Sequence, residues 1–351
     1  MMKHPRTRKK PSALYYQLSL LLLSISVGAV AANHSLASDR VGNVPMNPDA
    51  PWQVSTCTPV PLHPCTPVLL FQTEPTDYLA QSIPPLKPTQ PAALEQLNQG
   101  LRLIQQGNVA QAIAAFRQAA QLNPQLAPAH YNLGLALRQA GQLQAAADAF
   151  YQAAQIDPKF ALAYANLGAA LLEGNNLPQA REALRQAIDL DPELGVAHYN
   201  YGLVLSELGE YDVAIAAFQN AMQLSSNAPE PAYHLGLVYL RQGQLDQAKA
   251  AFEQAIKISP QYPEAYYNLG SILFEQGDLD GALEAFRQSA ENNSNYANAY
   301  YGAGLVFLRQ NRLRDAQQVL QYARDLYQAQ GNAQWAASAE QLLEQTRYPN
   351  R

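Results

Sequence analysis

The chain has 351 residues, of which 48% are hydrophobic and only 15% are charged. Such a length exceeds one ordinary domain and points to several units or a repeat array, and the composition excludes a polar disordered chain. Charge is uneven, because residues 1–92 carry 7 Lys and Arg against 4 Asp and Glu, whereas residues 93–351 carry 16 against 24. The acidic C-terminal part argues against nucleic acid as a partner, since binding to phosphates depends on Lys and Arg.

Residues 1–37 have the pattern of an export signal. A basic start containing Lys3, Arg6 and Arg8 precedes an apolar run over 14–32, and small residues follow at 29–31 and 35–37. This order is typical of a secretory signal peptide. The run also approaches the length of about 20 apolar residues that spans a bilayer, so an uncleaved membrane anchor is the alternative. Either way, we expect the body of the chain in the periplasm, on the outer face of the cytoplasmic membrane, or in an equivalent lumen.

Residues 38–92 form a predicted disordered linker, because 12 of the 24 prolines fall there. Proline removes a backbone donor and restricts the preceding residue, so an extended spacer is expected. Cys57 and Cys65 lie inside this linker. In an exported protein they would form a local disulfide, and a metal site that also uses His63 is a weaker alternative.

From residue 93 the sequence repeats with a fixed period. Glycine recurs at one constant interval, at positions 100, 134, 168, 202, 236, 270 and 304. In the same frame alanine recurs at positions 112, 146, 180, 214, 248, 282 and 316. A Phe or Leu recurs in that frame at positions 116, 150, 184, 218, 252, 286 and 320. A period of this length indicates a solenoid or another array of stacked units.

Each unit is predicted to contain two helices, A and B. The residue between them, position 15 of the repeat, is always Gly or Asn, the two residues that best end a helix in the left-handed conformation. The glycine at position 8 of helix A disfavours the helix, so we expect it to admit a closely packed helix B. Asn123, Asp157 and Asp191, each followed by proline, are predicted to stop helix B and to cap the next helix A.

The third and sixth units read YANLGAALL and YYNLGSILF in helix A. With the recurring Ala, Phe, Ala and Pro, they resemble the tetratricopeptide repeat family. The resemblance implies an all-α fold, a right-handed α-solenoid of seven 34-residue helix-turn-helix repeats, with residues 331–351 as a C-terminal capping helix. Trp335 should then pack on the last helix B. The repeats would be 93–126, 127–160, 161–194, 195–228, 229–262, 263–296 and 297–330, together 93–330.

The resemblance also implies that the A helices line a concave groove. Position 6 would face that groove, and it holds Asn98, Asn132, Asn166, Asn200, His234 and Asn268 in the first six repeats. An amide has one acceptor and two donors, so this ladder could hold an extended peptide by its backbone. Local helix packing is the alternative role. Position 5 adds the candidate contacts Tyr131, Tyr199, Tyr233, Tyr267 and Tyr301.

No catalytic motif, phosphate loop or cofactor motif occurs in residues 93–351, and His130 and His198 fall at core aromatic positions. We therefore predict a non-enzymatic protein that needs no cofactor and no metal. The leading hypothesis is an exported scaffold or assembly factor that binds extended or helical segments of other proteins. A self-associating structural protein and an accessory subunit of a separate enzyme are the alternatives. Positions 2, 5 and 6 carry no Lys or Arg, which favours an uncharged or mildly basic segment.

Overall fold

The structure is a computed structural model, and it describes residues 91–347. The predicted signal, nearly all of the linker, and both Cys57 and Cys65 lie outside these residues. Within them, the regular secondary structure consists of helices. In chain order these are α1 Pro91–Gln105, α2 Val109–Leu122, α3 Ala127–Gln139, α4 Leu143–Ile156, α5 Ala161–Glu173, α6 Leu177–Leu190, α7 Gly195–Glu207, α8 Tyr211–Leu224, α9 Glu230–Arg241, α10 Leu245–Ile258, α11 Pro263–Glu275, α12 Leu279–Asn292, α13 Ala297–Arg309, α14 Leu313–Ala329 and α15 Ala333–Arg347.

The helices fall into two compact units, residues 91–208 and residues 209–347 of the described chain. In the first unit α1 packs on α2, α3 on α4 and α5 on α6, and each helix B also packs on the following helix A. The second unit continues this order from α8 to α15. The alternation of A and B helices therefore follows the predicted repeat, and α1 begins two residues before its predicted start.

The glycine at position 8 allows helix B to approach helix A, as predicted. A Cβ atom added to Gly134 would lie 2.7 Å from Phe150 at position 24, and one added to Gly168 would lie 2.4 Å from Leu184. Phe150 and Leu184 are completely buried. The same close approach to the residue at position 24 recurs at Gly100, Gly236, Gly270 and Gly304. Glycine here serves packing, at the expense of helix propensity.

The predicted left-handed residue between helices A and B is present in every repeat. Gly141 has a φ of 72°, and Asn175 and Asn311 have φ of 58° and 61°. The backbone N–H groups after the turn donate to carbonyls near the end of helix A, for example Asn176 N to Leu171 O at 2.8 Å. These bonds satisfy carbonyls that a helix end leaves without a partner.

Asn123, Asp157 and Asp191 were predicted to stop helix B and to cap the next helix A, and the first of these roles is correct. Each ends its helix B in an extended conformation, and its side chain accepts a hydrogen bond at 3.1 Å from the N–H two residues later. The next helix A starts further on, and Leu126 at the start of α3 makes no side-chain capping bond. The prediction that they cap helix A was wrong, because the closing turn places their side chains against their own loop.

Helix α15 covers the end of the second unit, as expected of a capping helix. Trp335 stacks on Tyr327 of α14 at 6.0 Å between ring centroids, and it meets Tyr301 edge-on at 5.5 Å. Leu343 is completely buried. The prediction that Trp335 packs on the last helix B is therefore confirmed. Among the helices of residues 91–347, none is both long enough and apolar enough to cross a bilayer.

Candidate functional site

Three of the tyrosines at position 5 are each packed into the repeats by two aromatic neighbours, namely Tyr131, Tyr233 and Tyr267. Tyr131 lies 5.7 Å from Phe150 and 4.8 Å from Phe160, measured between ring centroids. Tyr233 makes the equivalent pair of contacts at 5.7 and 4.9 Å. Such offset and tilted aromatic contacts stabilise the core. Four of the five predicted tyrosines are therefore buried: Tyr131, Tyr199, Tyr233 and Tyr267.

The hydroxyl of a position-5 tyrosine reaches the position-6 amide of the next repeat. Asn166 Nδ2 donates to Tyr131 Oη at 3.2 Å, and Asn268 Nδ2 donates to Tyr233 Oη at 3.4 Å. Burial raises the pKa of the Tyr233 hydroxyl, and the Glu264 carboxylate raises it further. The hydroxyl therefore stays protonated, and each pair joins consecutive A helices.

The same amides also donate to their own helices. Asn132 Nδ2 donates to Pro128 O at 2.7 Å, Asn166 Nδ2 to Leu162 O at 2.9 Å, and Asn268 Nδ2 to Glu264 O at 2.8 Å. At Asn166 and Asn268 both N–H groups of Nδ2 are therefore used within the protein. The local packing role foreseen as the alternative is therefore present at Asn132, Asn166 and Asn268.

Asn200 departs from this pattern. It is completely buried, and neither its Nδ2 nor its Oδ1 has a hydrogen-bond partner among the described residues. Asn166 Oδ1 is likewise buried without a partner there. The absence of the bond between repeats follows from the sequence, because position 5 of the preceding repeat is Ala165, which has no hydroxyl to offer. A buried polar group without a partner costs about 1–3 kcal/mol.

The ladder is interrupted in the second unit. His234 replaces asparagine at position 6 and meets Tyr233 edge-on at 5.2 Å and Phe218 at 6.1 Å. Burial lowers the pKa of His234 to about 4, and nearby Arg241 contributes to the shift, so the imidazole is neutral at pH 7. Gly302 holds position 6 of the last repeat, where a Cβ atom would lie 2.7 Å from Phe286.

The remaining predicted contacts lie in the first and the last repeat. Asn98 on α1 and Tyr301 on α13 are partly buried. Tyr301 contacts the capping residue Trp335 and Tyr327, so the cap reaches the last position-5 residue. The imidazoles of His130 and His198 bond to Pro124 O and Pro192 O at 3.2 and 2.9 Å. Both histidines therefore tie helix A to the preceding closing turn. His198 is buried, in agreement with its predicted core position, whereas His130 is only partly buried, so the prediction was wrong for His130.

Sequence reasoning missed a row of polar contacts between repeats of the second unit. Gln242 Nε2 donates to Asp212 Oδ1 at 2.9 Å, and Gln276 Nε2 donates to Asp246 Oδ1 at 3.1 Å. The signal was available, because position 14 is Gln and position 18 of the preceding repeat is Asp in both pairs. These exposed contacts fix the edge formed by the A–B turns, and the first unit does not carry the same residues.

Models of the tetratricopeptide repeat match the chain at residues 97–159, 233–297 and 276–333, and two related models match residues 193–261 and 137–200. The matches together extend over residues 97–333. The chain belongs to the tetratricopeptide repeat family. Proteins of this family are generally non-catalytic interaction scaffolds, which supports a scaffold role for this tetratricopeptide repeat protein. No curated protein matches the chain.

Two solved structures share the fold of this chain, and a third aligns with a smaller part of it. One from Parabacteroides merdae ATCC 43184 has a TM-score of 0.54 and 19% identity, covering 73% of this chain and 99% of its own. PilF from Pseudomonas aeruginosa has a TM-score of 0.52 and 21% identity, covering 60% of this chain and 96% of its own. MamA from Desulfovibrio magneticus RS-1 has a TM-score of 0.46 and 22% identity, covering 49% and 97%.

Proposed function

We propose that the chain is a non-enzymatic scaffold or assembly factor, acting outside the cytoplasm, whose A helices hold segments of partner proteins. The observation that carries this proposal is the fixed orientation of the position-6 amides. Nδ2 of Asn166 is held by Leu162 O and Tyr131 Oη, while its buried Oδ1 has no partner among the described residues. That oxygen is already oriented as an acceptor, and because it is buried, a backbone N–H of a bound segment would reach it through a local opening of the third repeat.

The energetics suit a reversible interaction. One hydrogen bond contributes a net stabilisation of about 0.5–1.5 kcal/mol, and association with ordering of a segment costs several kcal/mol. Amides that are already oriented reduce that cost, because their rotamers are not lost on binding. Position 9 adds apolar contacts from the partly buried Leu203, Leu237 and Leu305. We expect them, together with a few such hydrogen bonds, to give a micromolar dissociation constant, which corresponds to about −8 kcal/mol.

Charge favours an uncharged or mildly basic segment. Within the second unit, position 2 carries Glu230 and Glu264, and burial raises the pKa of the Glu230 carboxyl. A basic side chain near these partly buried carboxylates would be attracted, whereas an acidic segment would meet no cation at positions 2, 5 or 6.

Action outside the cytoplasm rests on the sequence of residues 1–37. The basic start and apolar run would direct the chain through the export pathway and leave the array on the far side of the membrane. N-terminal sequencing of the mature protein tests this part, since an N-terminus after residue 31 or 37 would show cleavage. An intact N-terminus in the membrane fraction would instead indicate an anchor, and an intact N-terminus in the cytoplasm would contradict the proposal.

The binding face can be tested by photo-crosslinking in the full chain. A photoreactive residue at Leu237, which is partly buried at position 9 of α9, reports on the face of the A helices. The matched control is Val213 on the B helix α8, whose exposed fraction is 49%. We expect a partner to crosslink through position 237 and not through position 213. Crosslinking only through position 213 would move binding to the B helices.

Asparagine variants test the ladder itself. We expect Asn166→Ala and Asn268→Ala to weaken capture of the crosslinked partner, whereas the exposed Asn175→Gly should capture it normally. Mass spectrometry of the captured partner also separates the alternatives, because a catalytic partner would indicate an accessory subunit and a second copy would indicate self-association. Unchanged capture by both ladder variants, with their folding intact, would contradict a role of the amides in binding.

A further inference from the structure

The third and fourth repeats contain a site in the first unit that differs from the rest of the ladder. Ala165 and Ala169 occupy positions 5 and 9 of the third repeat, where most repeats carry tyrosine and leucine. Asn200, at position 6 of the next repeat, is completely buried, and both polar atoms of its amide are without a hydrogen-bond partner among the described residues.

The neighbouring repeats show which atoms are missing. In the Tyr131–Asn166 and Tyr233–Asn268 pairs, the position-5 hydroxyl accepts from the amide that comes 35 residues later. The residue that corresponds to these tyrosines for Asn200 is Ala165. Substituting alanine for tyrosine removes both a hydrogen-bonding group and the volume of a phenol ring next to the amide.

From this arrangement we infer that the first unit takes a primary-amide side chain, Asn or Gln, of the bound segment beside Ala165, where it pairs with the Asn200 amide. A primary amide carries an N–H on the same side as its C=O, so two such groups form two reciprocal hydrogen bonds. A single trans peptide group points its N–H and C=O in opposite directions and cannot do so. The inference rests on the proposed function, because the side chain belongs to a segment held along the A helices.

A side chain fits this place better than the backbone of that segment. The position-5 residues on either side of Asn200 are buried, so the backbone of a segment along the A helices stays outside them and only a side chain extends inwards. An Asn or Gln side chain would pass the short side chains of Ala165 and Ala169 to reach Asn200. Because both alanines are buried, the occupant has to enter through a local opening of the protein, which predicts slow association.

The test uses small amides as probes on the full chain, with 15N-labelled asparagine. Propionamide represents the end of a glutamine side chain, N,N-dimethylpropionamide lacks the donor, and N-acetylglycine N-methylamide represents extended backbone. We expect propionamide to shift the Asn200 side-chain NH2 signal saturably, and dimethylpropionamide to bind roughly fivefold more weakly, which is the effect of one hydrogen bond. No saturable shift with propionamide, or an equal response to the backbone probe, would overturn the inference.

Two variants test whether propionamide binds at the Asn200 amide. Ala165→Tyr rebuilds the tyrosine–asparagine pair of the adjacent repeats and should abolish the response to propionamide, although the protein remains folded. Asn200→Leu removes the buried polar atoms, so it should also abolish propionamide binding while raising the melting temperature. Propionamide binding to the folded Ala165→Tyr variant that equals wild type would overturn the inference.

The propionamide test and the crosslinking test of the proposed function can fail independently of each other. If partner crosslinking through position 237 is retained but propionamide does not bind, only the amide site is wrong. If propionamide binds as expected but no partner crosslinks through position 237, the site stands and the proposed scaffold function fails.

Discussion

The Tyr131 hydroxyl and the Asn166 amide nitrogen lie 3.2 Å apart, although 35 residues separate them in the chain. Tyr233 and Asn268 are related in the same way. In each pair the tyrosine ring is held by its own repeat and the amide by the next, so the hydrogen bond fixes the register of two adjacent A helices. The residues that define the candidate binding face thus also stabilise the stack of repeats.

Removing that hydroxyl should destabilise the first unit. In Tyr131→Phe the ring contacts with Phe150 and Phe160 remain, but one N–H of the Asn166 amide loses its partner. We expect the free energy of unfolding to fall by about 1–3 kcal/mol, because a buried N–H is left without its partner. Urea unfolding measures the change. The control is Tyr151→Phe, because Tyr151 is 49% exposed and the loss of its hydroxyl should change little. Equal effects of the two variants would show that the Tyr131–Asn166 bond adds no stability.

The sequence predicted the repeats and their turns because those features depend on local chemistry. The constant period, the Gly or Asn at position 15 and the glycine at position 8 each have a direct backbone reason, and the structure confirms all three. The capping role of Trp335 was also predictable, since the last apolar face of an array needs a cover.

The roles of the position-5 and position-6 residues were harder to foresee. Spacing shows that Tyr131 and Asn166 lie on A helices, but it does not show that they bond to each other, because that contact joins different repeats. The same holds for Asn200, whose missing partner becomes visible only when the pairs in other repeats are known. Long-range side-chain pairing requires the packing of two repeats, which a periodic pattern alone does not supply.

The left-handed turn residue offers a second test. Asn175 has a φ of 58°, a conformation that glycine adopts without strain and that costs a residue with a Cβ roughly 1–2 kcal/mol. We expect Asn175→Ala to lower the melting temperature and Asn175→Gly to leave it equal or higher. Thermal unfolding followed by circular dichroism makes the comparison. A result in which alanine is tolerated as well as glycine would be incompatible with the left-handed conformation at this turn.

The close approach of helices A and B offers a third test. In Gly134→Ala the new Cβ would lie 2.7 Å from the buried Phe150 ring, so the helices must shift. Overpacking of this kind costs about 1–3 kcal/mol, although alanine is the better helix former by about 1 kcal/mol. We expect a net decrease in the free energy of unfolding, measured in urea. Gln118→Ala, on the exposed side of α2, is the control for helix propensity and should be neutral or stabilising. A more stable Gly134→Ala variant would contradict the packing role of this glycine.

The final prediction concerns pH and His234. Burial holds its pKa at about 4 in the folded protein, below the ordinary value of 6.5, with Arg241 adding to the effect. Between pH 6.5 and about 4 the unfolded chain binds a proton that the folded protein does not, so stability falls as the pH decreases through this range. His234→Asn places the usual position-6 residue there and removes this contribution, while all other titrating groups stay the same. We expect the variant to become more stable relative to the wild type as the pH is lowered from 7 to 4. Urea unfolding at several pH values measures it, and a difference that does not change with pH would show that His234 titrates normally in the folded protein.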